Sequence, residues 1–154
     1  MNAPTSRMVA FSVGTACFFV ASALYILFRP TTLLMFHWIK ALGLMDSVQL
    51  MRASVISLEN LLPGWFIYSL PFGLWILAYL VFIEGIWANT QSQKRLLWLW
   101  CVPGIAISAE FLQINQIIPG SFDWEDLIII ISAIIIGFYI STANNLNKGR
   151  MGHG

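Results

Sequence analysis

The chain has 154 residues, of which 58% are apolar and 10% charged, with a net charge of +1 and a mean hydropathy of +0.78. Soluble domains are about 25% charged and about 45–50% apolar, and a globule of this size has too much surface for so few charges. The composition therefore excludes a soluble single-domain enzyme and a disordered chain, and the near-neutral charge removes nucleic acid from the partners.

What remains is an all-α membrane protein: one polytopic domain over residues 1–154, with four transmembrane helices and an interfacial amphipathic helical segment between the first and second. The first span covers residues 8–28, an uncharged run closed by Arg29 and Pro30. Arg7, the apolar stretch and Ala21-Ser22-Ala23 imitate a secretory signal. The apolar run continues past a usual signal core, so an uncleaved first helix is expected.

Residues 31–60 interleave Leu33, Leu34, Phe36, Trp38, Ile39 and Val48 with His37, Lys40, Asp46, Gln49 and Arg52. That is too polar to span and suits one or two helices lying in the interface, broken near Gly43. The second span is expected over 65–87, with Pro71 and Glu84 inside it, and the third over 96–118, with Pro103, Glu110, Gln113, Asn115 and Gln116. The fourth covers 124–143 and includes two isoleucine runs; the polar, glycine-rich tail from Asn144 is expected to fray.

Four spans place Arg7, Lys94, Arg95, Lys148 and Arg150 on one side, and Arg29, Lys40 and Arg52 on the other. The positive-inside rule then puts both termini in the cytoplasm of a bacterial inner or plasma membrane. Cys17 and Cys101 both fall in apolar runs, without a CxxC pair or a Cys/His spacing. Reduced thiols are expected, and neither a metal nor a cofactor is implied.

Ionisable groups inside a span are expensive unless they pair, snorkel or neutralise. Glu84 lies near the end of its span, within reach of Lys94 and Arg95, and reads as a paired anchor. Glu110 is roughly 21 Å into its helix, at about 1.5 Å per residue. Gln113 and Gln116 follow along one broad side, and that row must face other helices or a wet cavity. Asp123 is the natural N-cap of the last helix, and Asp126 can approach the Gln113/Gln116 side. Ala133, Gly137 and Ser141 form a small-residue stripe, and Gly104 and Ser108 a second pair; the last two helices are expected to pack on these as a hairpin with a polar mouth.

Glu110-Phe-Leu-Gln113, then Pro119-Gly120, then Asp126 opening a last apolar helix with Gly137, resembles the VanZ-like family of small membrane proteins, and Leu70-Pro71-Phe72-Gly73 extends the likeness. The chain departs from the family pattern in having Gly120-Ser121 where an Arg is common, Ile130 where an Asn is common, and Ala133 where a Gly is common. The resemblance implies an integral membrane protein of the cell envelope, with a name drawn from low-level glycopeptide resistance, and it supplies no reaction.

Three functions stand open at this point. The first is a VanZ-like protein with an outward-facing polar pocket for a lipid-linked or cell-wall-related ligand, built from Glu110, Gln113, Gln116, Asp123 and Asp126. His37 and Arg52 would close it, Arg52 as a phosphate contact. The second is an enzyme acting on a lipid headgroup by carboxylate and histidine chemistry. The third is an accessory or scaffold subunit whose amphipathic segment meets a membrane-protein partner. Membrane lipid is a partner in all three.

Overall fold

The computed structural model describes residues 3–87, 92–118, 120 and 122–151, with side chains described between Arg7 and Ile140 in those ranges. All regular structure among the described residues is helical: α1 (Ala3–Phe28), α2 (Leu34–Ala41), α3 (Met45–Glu59), α4 (Gly64–Tyr68), α5 (Leu70–Ile86), α6 (Gln93–Ile114) and α7 (Trp124–Met151).

Helix α5 is the axis of the molecule. Its apolar residues run all the way round, the pattern of a helix buried on every side, and it packs extensively against α1 on one flank and α7 on the other. Ile76 and Leu80 of α5 form a core with Leu99 and Ala106 of α6 and with Ile130, Ala133 and Ile134 of α7.

Small residues set the spacing. Gly14 of α1 lies against the Phe82 ring, and Gly85 of α5 against Ala10 and Phe11, so α1 and α5 run antiparallel in close contact. Further along the same pair, Trp75 Nε1 donates to Ser22 Oγ at 3.3 Å and the Trp75 and Tyr25 rings meet at 5.2 Å. On the other flank, Gly73 receives Ile129 and Gly137 receives Leu80, so α5 and α7 run parallel.

The last two helices do pack on each other, with the Trp100 ring of α6 and the Phe138 ring of α7 meeting at 5.2 Å, but not on the small residues expected to seat them. Gly137 serves the α5 contact, while a β-carbon at Gly104 of α6 would meet nothing within 4 Å. The physical reason is that α5, apolar on all faces, has two flanks to cover, and the small side of α7 covers one of them. Ser141, the last member of the expected stripe, lies outside the described side chains.

The expected second span is broken. Ser69 separates α4 from α5, and Pro71 stands in the first turn of α5. Proline has no N–H to offer and its ring crowds the carbonyl four residues back, so the hydrogen-bond ladder is interrupted at this point. Pro103, by contrast, lies within continuous α6.

Among the described residues, two helical segments, Arg7–Phe28 and Gln93–Ile114, are long and apolar enough to cross a membrane, and Leu70–Ile86 is a shorter apolar helix. Large apolar side chains are exposed along the outer faces, among them Phe18, Phe19, Ile105, Phe111, Ile128 and Ile135. At the far end, α7 does not stop near 143 but continues to Met151, in a stretch that no proline interrupts.

The amphipathic segment takes the expected form. Helix α2 ends in a Schellman motif, with Gly43 at φ +70°, its N–H on Lys40 O and the Leu44 N–H on Ile39 O. Helix α3 then turns back, burying Val48 while α2 buries Phe36. Arg52 pins α3 to α1: its Nη1 donates to Ile26 O at 2.6 Å and to Arg29 O at 2.9 Å, carbonyls at the end of α1.

Candidate functional site

The parallel and antiparallel pairings sort the polar residues to two ends. At one end, Glu84 of α5 meets Arg95 in the first turn of α6: Arg95 Nη2 lies 2.7 Å from Oε1 and 2.8 Å from Oε2. Glu84 is buried, and the pairing expected of it is found.

At the other end lies Glu110, on the side of α6 turned to the protein interior and only 5% exposed. Its Oε2 has no hydrogen-bond partner among the described residues. The backbone N–H of Asp123 is directed at its carboxyl group, and the charges of Asp126 and, more weakly, Asp123 act on it. Asp123 is the N-cap of α7, as its sequence position suggests: Oδ1 accepts from the Glu125 N–H at 2.8 Å. One loop thus brings the start of α7 over the Glu110 carboxyl group.

Gln113 belongs to the same construction. A β-carbon on Gly120 would lie 2.6 Å from Gln113 Nε2, so the loop backbone rests directly on the amide. Gly120 also has φ +136°, a conformation that favours glycine. Gln113 and Gly120 of the sequence pattern are therefore in contact.

Gln116 does not continue the row. Helix α6 ends at Ile114 rather than near 118, in a second Schellman motif: the Gln116 N–H bonds Gln113 O and the Ile117 N–H bonds Leu112 O. Gln116 takes the left-handed position at φ +53° and its side chain is exposed.

His37 and Arg52 do not join Glu110 either. Arg52 is held on the α1 carbonyls, with its guanidinium over the Phe36 ring at 5.7 Å. His37 lines a separate polar groove of about 500 Å³ between α2 and α3, with Thr31, Lys40, Asp46 and Gln49. An apolar groove of about 560 Å³ lies between α1 and α3, walled by Phe18, Phe19 and Ile26 on one side and Met51 and Val55 on the other.

The sequence reading missed Arg29 as a structural centre. Its Nη2 donates to Tyr68 O at 2.9 Å, and its guanidinium lies 5.6 Å from the Tyr25 ring and 5.0 Å from the Tyr68 ring. The available signal was a charged residue closing an apolar run, with tyrosines at both helix ends. Among the described residues, no three His, Cys, Asp or Glu side chains are grouped to hold a metal ion.

In comparisons with known proteins, no family model, no curated protein and no solved structure matches this chain.

Proposed function

We propose that this chain is a four-span integral membrane protein, VanZ-like in character, that engages a lipid-linked or cell-wall-related ligand of the bacterial envelope at its Glu110 end. The crossings are α1, α4 with α5, α6 and α7. Helices α2 and α3 lie in the interface on the Glu110 side, and both termini are cytoplasmic. Helix α5 has 17 residues, roughly 26 Å at about 1.5 Å per residue, and α4 extends it towards the about 30 Å of a hydrocarbon core. The exposed apolar faces of α1, α6 and α7 support a lipid solvent.

One observation carries the ligand reading: a buried carboxyl oxygen, Glu110 Oε2, left without a partner among the described residues and within electrostatic reach of acidic Asp126 on another helix. A polar group so placed is costly unless something meets it. The loop that covers it is anchored by Gln113 and Gly120, so the residues of the sequence pattern act as one unit.

The test replaces Glu110 and Gln113 together by Leu. The double variant, at wild-type abundance in the membrane, loses the glycopeptide tolerance that the wild-type chain confers on susceptible bacterial cells. Full tolerance in the double variant ends this reading.

A further inference from the structure

The Glu110 end gathers acidic groups around a buried carboxyl oxygen that has no partner among the described residues. The groups that act electrostatically on Glu110 are Asp126 and Asp123, both acidic. Of these, Asp123 is engaged in capping α7, which leaves Glu110 Oε2 and the half-buried Asp126 carboxylate. The basic residues at this end have other work. Arg29 is held on Tyr68 O between two tyrosine rings, Arg52 on the carbonyls of α1, and Lys40 lines the groove between α2 and α3. A buried carboxyl oxygen without a partner among the described residues, within electrostatic reach of a second acidic side chain, is met best by a group that brings hydrogen donors and positive charge together.

Resting on the function proposed above, we infer that Glu110 and Asp126 receive a primary ammonium group from the ligand. The chemistry selects this cation. An –NH3⁺ group brings one charge and three donors, enough for Glu110 Oε2, the Asp126 carboxylate and one further acceptor such as the Gln113 amide oxygen. A calcium ion takes about six to eight oxygens, whereas no three metal-ligating side chains gather among the described residues. A quaternary ammonium has no N–H to donate and is recognised by aromatic faces. The ammonium is that of an aminophospholipid headgroup or of a small soluble amine, and the two are separable.

The experiment measures lipid retention by native mass spectrometry of the whole chain, taken from nanodiscs holding phosphatidylethanolamine, phosphatidylcholine and phosphatidylglycerol in equal amounts. The expected result is retention of phosphatidylethanolamine over phosphatidylcholine by about tenfold or more, the scale of a charge-assisted hydrogen bond, falling to no preference in Glu110→Gln and in Asp126→Asn. Asp126→Asn decides the matter if Glu110→Gln fails to fold. A rise in the thermal midpoint with free ethanolamine, dependent on Glu110, assigns the site to soluble amines as well and supports the inference. Glu110-dependent retention of phosphatidylglycerol, or stabilisation by sodium or calcium without an ethanolamine-lipid preference, overturns the ammonium and leaves a Glu110-centred ligand site standing. Identical lipid retention by the wild type and both variants overturns both.

Discussion

Leu80 of α5 fills the notch left by Gly137 of α7: a β-carbon on residue 137 would lie 2.6 Å from Leu80 Cδ1 and 3.0 Å from its Cβ. Leu80 is fully buried and has nowhere to move. Gly137→Ala is expected to cost about 1–3 kcal/mol by overpacking. Leu80→Ala in the same chain relieves the collision, so the double variant is less destabilised than the sum of the two singles. Gly104→Ala, with open space around it, is expected to be neutral or to stabilise by up to about 1 kcal/mol through helix propensity. Thermal unfolding in detergent compares the three. Equal losses at 104 and 137 would mean that Gly104 also seats a close helix contact.

The Glu84–Arg95 pair predicts a different asymmetry. Both side chains are largely buried, at 8% and 16% exposure. Removing one partner takes the close counter-charge from the other, so Glu84→Gln or Arg95→Met alone is expected to destabilise by about 3 kcal/mol. Replacing both together recovers a large part of that loss, because no uncompensated charge remains. A double-mutant cycle on unfolding midpoints measures the coupling, and additive losses count against the pair as drawn.

These two contacts mark how far the sequence alone could be read. Glu84 sits in an apolar run with Arg95 a short loop away, and charge economy in a membrane-like composition leaves pairing as the cheapest outcome; the inference needed only local spacing. The Asp123 cap and the break at Gly43 were legible for the same reason, since each depends on the chemistry of one turn. The partner of Gly137 was not legible. A small-residue stripe shows that something approaches closely, but which helix approaches depends on how α5 divides its two flanks. Gln116 failed differently. Its spacing from Glu110 fits a helix face only if the helix persists, and a Schellman motif with glutamine in the left-handed position carries no glycine signal. His37 and Arg52 were placed by their chemistry alone, and the tertiary contacts of α3 with α1 set them elsewhere.

The same left-handed glutamine yields a stabilising substitution. Residue 116 has φ +53° at the position after a helix C-cap where glycine is favoured. A side chain there costs about 1–2 kcal/mol in sterics, part of which returns as extra chain entropy in the unfolded state when glycine is introduced. Gln116→Gly is therefore expected to stabilise by up to about 1 kcal/mol, whereas Gly43→Ala, at φ +70° in the equivalent motif of α2, is expected to destabilise by about 1 kcal/mol. Chemical or thermal unfolding reads both. Gln116→Gly also leaves ligand retention unchanged, because the exposed Gln116 side chain lies outside the Glu110 group; a loss of retention would return it to the site.

Cys101 tests the bilayer itself. It lies on α6, which begins at Gln93, so it sits roughly 12 Å along the helix at about 1.5 Å per residue. Its side chain is exposed on the protein surface. In water such a thiol would react readily. In hydrocarbon it is out of reach of a hydrated, charged reagent. In sealed and in opened membrane vesicles, a charged maleimide is expected to leave Cys101 unmodified, while denaturation in detergent exposes it to full labelling. Cys17 is replaced by Ala to isolate the signal. A cysteine placed by Gln49→Cys, in the polar groove of α3, provides the contrast: it is expected to label in the native membrane from the side opposite the termini. Rapid labelling of native Cys101 by the charged reagent would place α6 in water, and the four-span arrangement would fall with it.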